Sequence, residues 1–318
     1  MSETVTVAPQ VPFGTFMNFP LHIDLDTLEA DVAIIGMPYG DPYAMSEVSN
    51  DQSNGPTAVR RASRQLQQAL DRWDFDFNGT LFDGRPIRVV DVGDVPADPF
   101  DMKAHYRKAE LAVRRIVSRG AVPVTIGGDH GVPIPIFRGL EQLGPITLVH
   151  VDAHLDWRDE VNGVHQGYSS TIRRASEMAW IDGIFQIGIR GTGSAREEEY
   201  RMARERAEII TAWEVHDLGM RAVVDRIPSG GNYYISIDAD GIDPSIMPAV
   251  GAPQFGGLLY HQVRTLIHGL VAKGRVVGMD VVEITPGRDV NDMTSLVAGK
   301  FITNFIGTAV RAGYFDRR

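Results

Sequence analysis

"ITLVHVDAHLDW", residues 146–157, opens as a run of apolar and β-branched side chains. It closes on four ionisable groups at alternate positions: His150, Asp152, His154 and Asp156. The apolar half reads as a short strand covered on both faces. The polar half sits where that strand should leave the core. An ionised carboxylate buried without a partner is prohibitively costly, so each one must be paired, protonated or bound to a cation.

The same arrangement recurs along the chain. Strand candidates are Asp31–Met37, Ile87–Val92, Ala121–Ile126, Ile146–Val151, Gly183–Ile189, Tyr233–Ile237 and Arg275–Val282. Helical patterns fall between them, near 56–70, 102–119, 131–143, 168–178, 194–206, 259–272 and 291–312. Short Val- and Ile-rich strands alternating with helices predict an α/β fold, a three-layer α/β/α sandwich around a mostly parallel, doubly wound sheet. Residues 1–28, broken by Pro9, Pro12 and Pro20, read as an irregular N-terminal arm, and 29–318 as one domain.

Composition narrows the function. The 318 residues hold no cysteine, which excludes disulfides, thiolate metal sites and thiol nucleophiles. Lys and Arg number 31 against 41 Asp and Glu, a net charge of −10, with no basic run to follow a nucleic acid backbone. The N-terminus lacks the pattern of a secretory signal, and no apolar stretch reaches the roughly 20 residues that span a bilayer. A soluble, cytoplasmic protein acting on a small molecule is expected.

In doubly wound sheets, ligands bind outside the carboxyl ends of the strands. Gly127-Gly128-Asp129-His130, the Asp152–Asp156 stretch, Asp238 with Asp240 and Asp243, and Glu283 each follow a predicted strand. If the extended geometry continues, Asp152, His154 and Asp156 point to one side, as do Asp238 and Asp240. His130, Asp152, His154, Asp156, Asp238 and Asp240 then face one pocket. Imidazoles and carboxylates without sulfur suit Mn²⁺, Fe²⁺, Ni²⁺ or Zn²⁺. Six ligands exceed the needs of one ion, and shared carboxylates would bridge two ions roughly 3.5–4 Å apart. An isolated His or Asp-x-Asp is usually a cap or a surface group. Three such clusters at three strand ends would leave buried charges unpartnered unless cations were present. A water between two such ions is a nucleophile near neutral pH. Glu283, an acid among acids, favours a cationic electrophile over a phosphate.

These segments, with Ser236-Ile237-Asp238-Ala239-Asp240-Gly241-Ile242-Asp243-Pro244, resemble the three signatures of the ureohydrolase family, which includes arginase, agmatinase and the guanidino-acid hydrolases. The resemblance extends to Thr15-Phe16-Met17, Gly55-Pro56, Ala58-Val59-Arg60 and Gln186-Ile187-Gly188-Ile189-Arg190-Gly191. It implies an arginase/deacetylase-like sandwich with two divalent ions, Mn²⁺ as the usual metal and Ni²⁺ in some members. One ion would be held by His130, Asp152, Asp156 and Asp238, the other by Asp152, His154, Asp238 and Asp240. Asp156 would also accept a hydrogen bond from the metal-bound hydroxide, and Glu283 would grip the guanidinium. Urea and an amine would be released. Trimers or hexamers are common in such proteins.

The sequence departs from the family in three places. The family's catalytic His, twelve residues beyond Asp156, is Tyr168 here, while His165 lies three residues earlier. Either His165 or Tyr168 carries the proton, or no carrier is needed. Residues 46–56 lack the usual Arg- and Gly-rich character. Trp157, directly after the metal loop, could stack on a flat cation or simply pack beneath the loop. These changes point away from arginine and agmatine, toward a guanidino acid, guanidine itself or a biguanide such as metformin. Two other readings remain: an inactive or regulatory paralogue that assembles with an active subunit, and a one-metal zinc deacetylase on the same general fold.

Overall fold

The structure, a computed structural model, describes residues 14–40, 43, 51–96, 101–192 and 194–316. Its centre is one sheet of eight parallel strands: β1 (Val32–Met37), β2 (Val89–Asp94), β3 (Val122–Gly127), β4 (Ile146–Val151), β5 (Ile181–Ile189), β6 (Glu208–Thr211), β7 (Asn232–Asp238) and β8 (Arg275–Val282). Their order across the sheet is β2-β1-β3-β8-β7-β4-β5-β6. Among the described residues there are nine α-helices: α1 (Gly55–Ser63), α2 (Met102–Ser118), α3 (Pro133–Gly139), α4 (Thr171–Ser176), α5 (Glu197–Arg206), α6 (Ala212–Leu218), α7 (Met220–Arg226), α8 (Tyr260–Lys273) and α9 (Met293–Arg311).

Strand alternation sorts the core into two layers. Val32, Ile34, Val124, Ile126, Ile235 and Ile237 pack against Val59 of α1, Val223 of α7, Leu266 of α8 and Phe301 of α9. Ala33, Ile35, Leu148 and Tyr234 pack on the opposite side, against Val113 of α2, Phe137 of α3, Ile172 of α4 and Ala203 of α5. The architecture is the expected three-layer sandwich, with both sheet faces covered. No helix among the described residues is long and apolar enough to cross a membrane.

Three elements escape the sequence pattern. β6 is a four-residue edge strand, Glu-Ile-Ile-Thr, too short for a clear alternation. The seven-residue helices α6 and α7 meet at Gly219, whose φ of 80° breaks them apart. The helical pattern near 56–70 divides into α1 and a 3-10 helix over Arg64–Leu70.

Residues 14–28 lie against the domain, with Phe16 and Met17 at most 1% exposed. They are held through Asp91, on strand β2. Its carboxylate accepts from the Phe16 backbone N–H (2.8 Å) and from Arg60 Nε (2.8 Å) and Nη2 (2.9 Å). Arg60 also pairs with Asp94. All three charged side chains are buried. Removing one partner of a buried, hydrogen-bonded ion pair leaves the others unpaired. Arg60→Met should therefore destabilise the fold by about 3–5 kcal/mol in urea unfolding. A loss below about 1 kcal/mol would show that this network does not hold the N-terminal segment.

Candidate active site

The four central strands β3, β8, β7 and β4 are neighbours, and the polar clusters leave their carboxyl ends together. His130 Nδ1 lies 3.0 Å from Asp152 Oδ2, 3.2 Å from Asp156 Oδ2 and 2.8 Å from Asp238 Oδ2. In an adjoining group, His154 Nδ1 lies 3.1 Å from Asp240 Oδ2 and 3.4 Å from Asp152 Oδ1. Asp152 thus faces both groups, one oxygen to each. His130 Nδ1, Asp152 Oδ2 and Asp156 Oδ2 are buried without a hydrogen-bond partner, although they lie close together. Lone pairs converging at about 3 Å are what a metal coordination sphere requires.

Without a cation, these groups repel or protonate. Burial, followed by the charge of Asp152, pushes the Asp156 carboxyl up to about 7. Burial, then Asp240 and Asp152, raises Asp238 well above the carboxylate range. Burial opposes a charged His154, but Asp240 and Asp152 outweigh it and push its pKa up to about 12. Protons do in the cation-free chain what positive ions could do instead.

Beneath these groups, a polar row crosses five strands. The register aligns Thr125 with Asp280, Asp280 with Ser236, Ser236 with His150, and His150 with Gln186. All five are buried. The row fixes ring tautomers. Ser236 Oγ donates to Asp280 Oδ1 at 2.8 Å, so its oxygen accepts from His130 Nε2 at 3.1 Å. Nε2 of His130 therefore carries a proton, which leaves Nδ1 to face the three aspartates, protonated when no cation is present and free to turn a lone pair on one that is. Gln186 Nε2 donates to the Leu155 carbonyl (2.8 Å), which orients the amide, and lies 3.2 Å from His150 Nδ1. His150 then carries its proton on Nε2, 2.9 Å from Asp152 Oδ2. A protonated ring nitrogen cannot ligate, which makes His150 a positively polarised neighbour of Asp152, at ion-pair distance, rather than a ligand.

Close backbone approach explains two glycines. A Cβ on Gly128 would overlap the Tyr39 carbonyl, and one on Gly241 would come within 2.7 Å of the Asp152 nitrogen. Asp156 and Glu283 both have left-handed backbones, with φ of 49° and 62°. For a glutamate that conformation costs roughly 1 kcal/mol, and such strain gathers at functional sites. The Glu283 N–H donates to the Gly128 carbonyl at 2.8 Å. Its Oε1 accepts from the His130 N–H at 2.7 Å and its Oε2 from Gln52 Nε2 at 3.1 Å. Burial raises the Glu283 pKa, against these two hydrogen bonds. Glu283 lines one cavity of about 220 Å³ with the candidate ligands His130, His154, Asp156, Asp238 and Asp240 and with Gln52, Tyr168, Ser169, Ser194 and Ala252.

A profile described as the arginase family matches residues 30–307. The chain is 33% identical over 293 residues to guanidinopropionase of Pseudomonas aeruginosa, covering 89% of this chain and 87% of that one. It is 30% identical over 305 residues to the mitochondrial guanidino acid hydrolase of Homo sapiens, covering 93% and 82%. Proclavaminate amidinohydrolase from Streptomyces clavuligerus superposes with a TM-score of 0.80 at 29% identity, over 95% of this chain and 98% of that chain. The chain belongs to the arginase family.

Within this arginase-family site, the sequence-derived residues separate. His130, Asp152, His154, Asp156, Asp238, Asp240 and Glu283 come together, and Tyr168 joins them in the cavity wall. Trp157 is 2% exposed and packs in the second core layer rather than along the cavity. His165 is exposed, its Nδ1 3.1 Å from the Asp159 carbonyl, and does not line the cavity. Of the polar loop at 46–56, residues 46–50 lie outside the described residues, as does the arm before residue 14. Gln52, from the described part of that loop, had no distinguishing signal. Ser236 and His150 had one: each stands two positions before a ligand candidate on the same strand face.

Ser236→Ala should weaken metal retention roughly ten- to hundred-fold in chelator competition, besides the about 1–3 kcal/mol of stability lost when buried groups lose a partner. Unaltered metal affinity would mean that the Asp280–Ser236–His130 chain does not orient the ring.

Proposed function

We propose that this arginase-family chain is a dinuclear metal-dependent hydrolase that releases urea and an amine from a guanidino compound other than arginine. One observation carries the reading: two adjoining His/Asp groups, the first with unpartnered inward atoms, meet at a cavity that the buried Glu283 also lines. The relatives named for guanidinopropionate and guanidino acids support the substrate class.

The donor set fits the ions. Two imidazoles, four carboxylates and no sulfur suit manganese or nickel. His130, Asp152, Asp156 and Asp238 would hold one ion, and Asp152, His154, Asp238 and Asp240 the other. A one-metal deacetylase would leave the second group without a task. When bound, such a pair acidifies a water for attack on the guanidinium carbon.

The remaining work falls to side chains. Glu283, fixed through the His130 N–H, would take the planar cation against its carboxylate and hold the carbon in line for attack. Asp156 Oδ2 would accept a hydrogen bond from the attacking water. Tyr168, in the wall, would pass a proton to the departing amine, a role that His165 in solvent is poorly sited to perform. Closure by Gln52 and Ala252 would exclude bulk water.

Chelator-stripped protein should release no urea from a guanidine panel, and reloading with Mn²⁺ or Ni²⁺ should restore release. Glu283→Gln should lower kcat/KM by roughly a hundred-fold or more while both ions stay bound. Silence across the panel, with two ions per chain verified by elemental analysis, would overturn the reading.

A further inference from the structure

We propose that the substrate of this site is a compact guanidine whose tail carries no carboxylate; the inference rests on the hydrolase reading above. It comes from the charge of the cavity and from how the nearby arginines are used. Six carboxylates surround the site: Asp129, Asp152, Asp156, Asp238, Asp240 and Glu283. Two divalent ions would cancel only four of those charges. Beyond the acids and imidazoles, the wall that a substrate tail would meet is neutral, formed by Gln52, Tyr168, Ser169, Ser194, Gly251 and Ala252.

The arginines nearest the site spend N–H groups on other partners, and none lines the cavity. Arg190 is buried and spends its N–H groups on the carbonyls of Gly188, Asp240, Gly241, Ile242, Gln254 and Phe255. Arg158 pairs with Glu199 at 2.9 Å. Arg174 pairs with Asp159, and the exposed Arg288 donates through Nη1 to the carbonyls of Val250 and Gly251, outside the lining. Arg196 lines a separate depression with Glu197 and Tyr200. Among the described residues, the cavity lining contains neither Lys nor Arg. Outside the described residues, 1–13, 41–42, 44–50, 97–100 and 193 contain neither, and Arg317 and Arg318 follow Asp316, which pairs with Arg85 away from the cavity lining. A carboxylate entering here would exchange water for like charge, the arrangement by which binding sites reject ligands. The cavity of about 220 Å³ also lies below the roughly 300–1,000 Å³ of sites for drug-sized ligands.

The test compares n-propylguanidine with 3-guanidinopropionate, which match in length and differ in the tail. Manganese- and nickel-loaded protein is assayed for urea and titrated calorimetrically with each compound. Propylguanidine is expected to show a kcat/KM at least about ten-fold higher and to bind more tightly. Ala252→Lys, which adds a cation to the wall, should shift the kcat/KM ratio toward the acid by at least about ten-fold. Equal or better hydrolysis of 3-guanidinopropionate or arginine by the wild type would overturn the inference and leave the hydrolase reading standing. Urea from no guanidine, with both ions verified, would overturn the hydrolase reading and the inference with it.

Discussion

Everything at the rim of this sheet depends on mutual repulsion among buried carboxylates. Asp152 is fully buried, Asp156, Asp238 and Asp240 nearly so, and their oxygens meet around two imidazoles. Two unit charges about 4 Å apart interact by roughly 4 kcal/mol even at the moderate effective dielectric of a protein surface. Several such terms cannot stand uncompensated in a fold of ordinary stability. The raised carboxyls of Asp156 and Asp238 and the charged His154 are the compensation open to the chain by itself. Holding the oxygens together against that repulsion is the scaffold's task.

The scaffold meets it in layers. The row Thr125–Asp280–Ser236–His150–Gln186 lies one side-chain step below the ligand groups, on the sheet face that also carries Tyr234. Parallel register puts these side chains on one face, so a hydrogen-bond chain can run across strands that are distant in sequence. It orients His130 through Ser236 and brings His150 against Asp152. Above the sheet, Arg190 binds six carbonyls, five of them in the stretch after β7 and one, Gly188, in β5. A guanidinium used this way braces the loop that carries Asp240 and has no capacity left for a substrate.

The layered sheet was readable because continuous Val- and Ile-rich runs separated by helical spacing leave few alternatives. The ligand groups were readable because four polar clusters followed four such runs. Alternation alone does not account for Asp156. Its left-handed backbone departs from the extended geometry that would make it a simple continuation of Asp152 and His154, and a local bend directs its carboxylate to His130. Trp157 and His165 were ambiguous for a related reason. A residue type shows what a side chain can do, and only the loop's path decides whether it meets the cavity. Gln52 lies 231 positions from Glu283, and nothing in its neighbours marks the contact. β6 and the broken pair α6–α7 are too short to display a period.

Glu283 joins the two halves of the site. Its strained backbone is tied to the Gly128 carbonyl, and its carboxylate takes the N–H of His130. The imidazole of that same His130 stands at the centre of the first ligand group. A planar cation drawn to Glu283 would therefore load the residue whose ring faces the candidate metal site, through a single hydrogen bond. Rigid coupling of this kind suits a reaction that needs its electrophile within about 3–3.5 Å of the attacking oxygen. It also explains why strain is tolerated at Glu283. A relaxed glutamate backbone could not at once reach the Gly128 carbonyl, the His130 amide and the cavity, and the substrate and ligand sites would lose their fixed separation.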